Sequence, residues 1–140
     1  AYHCMWEGVR LVPMMDAQKG NVYTEEFAWT WESGKPVLHS VCPLRILPRD
    51  ALVASLAGTE KTVLLMGDAM QKAADELLPA GVRLAPIHMR MPCAACVGLA
   101  GLARLVRDAA DDAMTLEPLY LRRSEAEVLW EKRHGAEQAV

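Results

Sequence analysis

The sequence has no surplus of positive charge, no long apolar run and few cysteines, and each shortage excludes a class of protein. Fifteen Lys and Arg stand against 18 Asp and Glu in 140 residues, a formal net charge of −3. A chain that holds nucleic acid by its own charge needs clustered cations, so that class is set aside. No apolar stretch approaches the roughly 18 residues of a membrane span. The opening segment AYHCMWEGVR shows no basic region followed by an apolar one, so no leader is read there. Four cysteines are too sparse for a disulfide scaffold, and a reducing cytoplasm is the expected compartment. Walker, GxGxxG and HExxH patterns are missing, as is a nucleophile elbow around any serine.

What is present is ample apolar material, 52% of the chain, enough to rule out global disorder. The length suggests one domain, taken here as residues 1–134, with 135–140 as a tail that shows no packing signal. No internal repeat, low-complexity segment or linker interrupts it.

Three strands come first. Arg10–Asp16 is a short apolar run that stops at Asp16-Ala17-Gln18-Lys19-Gly20, where Gly20 is free to take a positive φ. Asn21–Trp31 alternates and is rich in β-branched and aromatic residues, so the two runs read as an antiparallel hairpin. The turn signal Ser33-Gly34-Lys35-Pro36 introduces a third strand, Val37–Ile46. The period then changes. Pro48–Leu56 reads as a helix closed by Gly58, and Thr62–Met66 as a strand covered on both faces. A helix over Ala69–Leu78 follows, then a short strand at Val82–Pro86. The longest helix starts near Pro92 and runs to about Ala113, with Cys96, Leu99, Ala103, Val106 and Ala110 as its inward stripe. Leu119-Tyr120-Leu121 is strand or extended chain, and Ser124–Arg133 carries a capping-box pattern, Ser124 with Glu127. The fold class is therefore α/β: an antiparallel meander continuing into a mixed sheet flanked by helices.

Few residues offer chemistry. Cys93-Ala94-Ala95-Cys96 at a helix start has the spacing to share a metal or form a redox disulfide, but zinc needs four ligands and there is no second CxxC. His88 lies five residues upstream of the motif, and His3, Cys4, His39 and Cys42 are scattered. The small neighbours Ala94, Ala95 and Gly98 favour thiols buried on a packed helix face over a metal or redox site. Gly67-Asp68 after an apolar strand is a candidate phosphate or ribose contact, with one glycine where several would be wanted; a tight strand-to-helix turn is the plainer reading. Asp16 is expected to bond backbone N–H groups of its own turn. Met66, Met70, Met89 and Met91 read as core filler. Trp29 and Trp31 share one strand face, as core if buried or a contact surface if exposed.

Two segments together resemble the bacterial TsaB (YeaZ) family. LVPMMDAQKGNVYTEEFAW is similar to its strand–turn–strand of Asp-Ala-Arg, one residue, Gly, Glu-Val-Tyr, carried here by Asp16, Gly20 and Tyr23. Glu117-Pro118-Leu119-Tyr120-Leu121-Arg122 resembles its closing Pro-x-Tyr-Leu-Arg, through Pro118, Tyr120 and Arg122. Gln18 and Asn21 depart from the pattern, which has Arg and Glu there. The likeness covers nearly all of this chain but only the second half of the family, whose first lobe carries an Asp-Thr-Ala strand and a Gly-Pro-Gly-Ser-Phe-Thr-Gly loop. It implies one lobe of an actin/hexokinase-like, ribonuclease H-like fold. It also implies a non-catalytic subunit of the complex that adds threonylcarbamoyl to the adenosine beside the anticodon. The implied partners are a TsaD-like paralogue and a TsaE-like ATPase, met mainly through the first lobe, with tRNA touched only indirectly and a homodimer allowed. No cofactor and no catalytic residue are expected in this chain. The alternatives are a small redox or metal module built on Cys93 and Cys96, and a lobe of another actin-like family such as a sugar kinase.

Overall fold

The computed structural model describes residues 1–72, 78–121 and 125–134. They divide into two units, Ala1–Ala110 and Asp111–Val140, where the sequence suggests one domain over 1–134.

The first unit is built on a five-stranded sheet: β1 (Val9–Asp16), β2 (Asn21–Glu32), β3 (Lys35–Pro48), β4 (Thr62–Met66) and β5 (Val82–Leu84). Their spatial order is β3-β2-β1-β4-β5. β2 runs antiparallel to β1 and β3, while β4 is parallel to β1 and β5 parallel to β4. The meander and the mixed sheet are thus as the sequence reading expects. Pro13 lies in β1, a central strand, although it has no N–H to give. Its cost is limited because the β1–β2 register has a gap there, between Leu11↔Phe27 and Met14↔Thr24.

Alternation puts a different core on each face of the sheet. One face carries Val12, Met14, Val22, Val63 and Leu65. It is covered by Leu52 and Leu56 at α1 (Arg49–Ser55) and just beyond it, and by Ala69 and Met70 of a 3-10 turn at Asp68–Lys72. The other face carries Leu11, Trp29, Leu64 and Met66, covered by the N-terminal segment through Cys4, which is 1% exposed. The edge of Tyr2 meets the Trp29 ring at 5.3 Å.

The β1–β2 turn explains its own sequence. Asp16 Oδ1 accepts the Gln18 N–H at 2.7 Å, the expected Asx turn, and Gln18, Lys19 and Gly20 all take positive φ. The Gly20 carbonyl then accepts the Arg49 N–H at 2.9 Å, tying the turn to the start of α1. Glu26 is 4% exposed, yet it is held by Arg45 at 2.6 Å and Arg10 at 3.4 Å. Buried carboxylates need such partners.

The helices after β4 differ most from expectation. Asp68–Lys72 is a short 3-10 turn where an α-helix over Ala69–Leu78 is predicted; Ala73, Ala74 and Leu77 lie outside the described residues. α2 (Ala94–Val106) ends well before Ala113. Asp108 adopts φ 54° there, Asp108 N–H bonds to Leu105 O and Ala109 N–H to Arg104 O, a Schellman closure made without glycine. The inward stripe also shifts: Leu99 is 49% and Val106 78% exposed, and no α2 side chain is buried.

In the second unit, residues 116–121 have no regular structure, so Leu119–Leu121 form no strand, and Tyr120 is exposed. α3 spans Glu125–His134, with the His134 ring stacked on Trp130 at 4.8 Å. Arg122, Ser124 and the tail 135–140 lie outside the described residues.

Two glycines carry separable demands. Gly20 needs only a positive φ, in open space. Gly67 has φ 109°, and an added Cβ would lie 2.0 Å from the Met14 carbonyl oxygen. In urea melts Gly20→Val is expected to cost about 1 kcal/mol and Gly67→Ala about 3 kcal/mol, because only the second adds a backbone collision to strain. Equal costs would mean the β1–β4 approach is misjudged. Glu26→Ala is expected to destabilise by about 1–2 kcal/mol, less than a fully buried pair because both arginines reach solvent.

Candidate functional site

An apolar cleft of about 600 Å³ opens on the second face of the sheet, within the first unit. Its floor is strand: Met66 of β4, and Tyr23 and Phe27 of β2. Its walls are the N-terminal segment with His3 and the stretch from Met89 into the first turns of α2. The half-buried line Cys93, Cys96, Ala100 and Ala103 gives α2 its nearest approach to an inward face.

The fold brings both cysteines of the CxxC to this cleft, together with His3, a partner that sequence separation conceals. The ligand atoms of His3, Cys93 and Cys96 all lie within 4.8 Å of one another. The two sulfurs are 3.7 Å apart. The thiols are free and half-buried, and so are not the core residues expected from their small neighbours. The reason is that Ala94, Ala95 and Gly98 face solvent, leaving the motif at the rim of a cleft rather than under a packed helix.

The two thiols are electronically unequal. Cys93 is the N-cap of α2, and the backbone N–H of Cys96, then the His3 side chain, then the Cys96 thiol, lower its pKa to about 7. Cys96 is pushed the other way, first by partial burial and then by the neighbouring Cys93. Cys4, although near in sequence to His3, is buried and raised by desolvation.

Gly67 and Asp68 line the same cleft. Asp68 Oδ1 accepts the Asp16 backbone N–H at 3.2 Å, so this carboxylate ties the start of the 3-10 turn to the end of β1. Tyr23 contributes to the floor, whereas Asp16 and Gly20 serve the hairpin. Pro118 and Tyr120 belong to the second unit and are exposed. The methionines divide: Met66 and Met70 are core, Met89 packs against it, and Met91 is half exposed. Trp29 and Trp31 divide too, the first 4% and the second 52% exposed.

At neutral pH, after reduction, Cys93 is expected to be alkylated by iodoacetamide ahead of Cys96 and Cys4, as read by peptide mass spectrometry. His3→Ala should slow Cys93. Prior modification of Cys4 would contradict this arrangement.

No known family profile matches the chain, and no curated protein does. Solved structures do. An uncharacterized protein with similarity to peptidase YEAZ from Pseudomonas aeruginosa is 17% identical, with 81% of this chain covered and a TM-score of 0.55. YeaZ from Pseudomonas aeruginosa is 16% identical, with 79% covered and a TM-score of 0.52. In both cases the match takes in 49% of the neighbour, so this chain spans about half the length of the structures it resembles. No helix among the described residues is long and apolar enough to cross a membrane. At these identities the likeness is one of architecture: the chain shares its α/β fold, built on a mixed five-stranded sheet, with about half of each of these YeaZ-like structures.

Proposed function

We propose that this chain is a TsaB-type lobe and that its protein is a non-catalytic subunit of the machinery that places threonylcarbamoyl on tRNA adenosine beside the anticodon. The observation that supports this reading is a coincidence of motif and fold. The segment Asp16–Tyr23, which resembles the family's strand–turn–strand, forms the β1–β2 hairpin of a sheet whose architecture is that of YeaZ. A motif and a fold that point to the same family carry more weight than either alone.

In this reading the lobe works as a scaffold. The hairpin, pinned by Asp16 and Gly20, fixes β1 and β2, and Gly67 lets β4 close against β1. Partners are a TsaD-type transferase and a TsaE-type ATPase in the cytoplasm, reached mainly through the family's other lobe. The net charge of −3 fits a subunit that leaves tRNA to its partners. The lobe itself supplies no catalytic group and binds no nucleotide in this scheme. A lone glycine beside the Asp68 carboxylate makes a poor seat for a phosphate.

Depleting the gene for this chain and digesting total tRNA to nucleosides is the direct test. Threonylcarbamoyladenosine, read by mass spectrometry, is expected to fall to a small residue, with the TsaD-type protein still present by immunoblot. An unchanged level of the modified nucleoside would overturn the reading.

A further inference from the structure

The CxxC pair and His3 remain unused by a scaffold role, and their arrangement is more specific than packing requires. Two thiolates bound tetrahedrally to one zinc-sized cation, each at about 2.3 Å, stand about 3.8 Å apart. A disulfide would bring them to about 2.05 Å. The observed separation is 3.7 Å, across which the Cys93 thiol donates a hydrogen bond to Cys96 Sγ. This distance also matches the cation spacing, so a cation could replace the shared proton without moving the sulfurs. An imidazole nitrogen lies in the same cluster, contributed from ninety positions earlier in the chain (His3 against Cys93).

We propose that His3, Cys93 and Cys96 form a three-ligand site for a thiolate-preferring divalent cation, zinc by its chemistry, with a fourth position open to the cleft. This site does not depend on the threonylcarbamoyl reading.

Four features support it. The three residues all line the cleft, so a cation among them would meet the cavity on its free side. Protein ligation by three groups with one position left for water or another small ligand is a recurrent zinc arrangement. The charges also balance. Two thiolates and a neutral imidazole offset a divalent cation, which leaves a net-neutral centre suited to a wall shared with Met66, Met89 and Val97. The ligand set is a soft one, two sulfurs and an imidazole, which selects zinc-like ions over magnesium or calcium.

The anchoring is the fourth feature. α2 buries none of its side chains, so apolar packing does little to hold its first turn against the sheet. The N-terminal segment, in contrast, is seated through buried Cys4 and the Tyr2–Trp29 contact. A cation bridging His3 to Cys93 and Cys96 would fasten a weakly packed helix to a well-seated strand-side segment. Metal binding of this kind adds directly to the stability of the bound state.

The test uses the whole 140-residue chain, reduced, with cobalt(II) as the probe. The expected result is one equivalent bound, with a thiolate-to-cobalt charge-transfer band in the near ultraviolet and visible bands of four-coordinate intensity, both displaced by zinc. Cys93→Ser and Cys96→Ser are each expected to lose most of the charge-transfer band. His3→Ala should keep part of it while weakening binding about tenfold or more, by loss of one ligand. X-ray absorption of the zinc-loaded unmodified chain needs no variant and is expected to show two sulfur neighbours with the remaining ligands nitrogen or oxygen. No charge-transfer band in the reduced chain would overturn the proposal. So would His3→Ala binding with unchanged affinity, or a chain that forms a Cys93–Cys96 disulfide and, when reduced again, takes up no cobalt.

Discussion

The parallel pairing of β1 with β4 is the contact on which the rest of the first unit depends. β1 belongs to the hairpin by its antiparallel edge and to the α/β half by its parallel one. Both apolar cores draw on these two strands, Val12 and Leu65 on one face and Leu11 and Leu64 on the other. Parallel strands cannot be joined by a tight turn, so β2, β3 and α1 all intervene before β4 arrives. The pairing closes only because residue 67 has no side chain where the chain leaves β4 over the Met14 carbonyl. Asp68 then bonds back to Asp16, so one short stretch both ends the strand and ties it to its neighbour.

Local pattern made much of this architecture legible. Thr62–Met66 is a strand with the bounds its apolar run suggests, and Asp16 makes the turn contact that Asp makes in such positions. Each of these signals is contained within a few residues of sequence. Where the determining contact is remote, the pattern is silent or misleads. Glu26 looks like one more polar residue of an alternating strand, and only the register of β1, β2 and β3 brings Arg10 and Arg45 to it. The apolar period of α2 suggests a buried stripe, but burial depends on what stands opposite, and nothing among the described residues buries Leu99 or Val106.

The cysteine motif shows the same limit at the site. Its spacing is visible, and the helix start behind Pro92 is visible, so a lowered thiol pKa could be anticipated. His3 could not, because nothing in a segment that begins AYHCMWEGVR signals that it will fold across β1 toward residue 93. The consequence is an asymmetric pair in which neighbouring N–H groups and an imidazole favour charge on one sulfur while partial burial disfavours it on the other. Such polarity comes from placement in the fold rather than from the identity of the four residues in the motif.

The edges of the sheet carry a consequence for how this protein meets other molecules. β3 is one edge, and its register against β2 slips twice, between Thr24 and Glu26 and between Glu26 and Phe27. Pro43 falls in that irregular stretch, where a missing N–H does least harm. β5, the other edge, is only three residues long. The slips break the fourteen-residue row of backbone groups on β3 into shorter runs, and β5 is short, so among the described residues a second chain finds only limited template for adding a strand. The same irregularity discourages accidental growth into β-aggregates and favours recognition through side-chain surfaces.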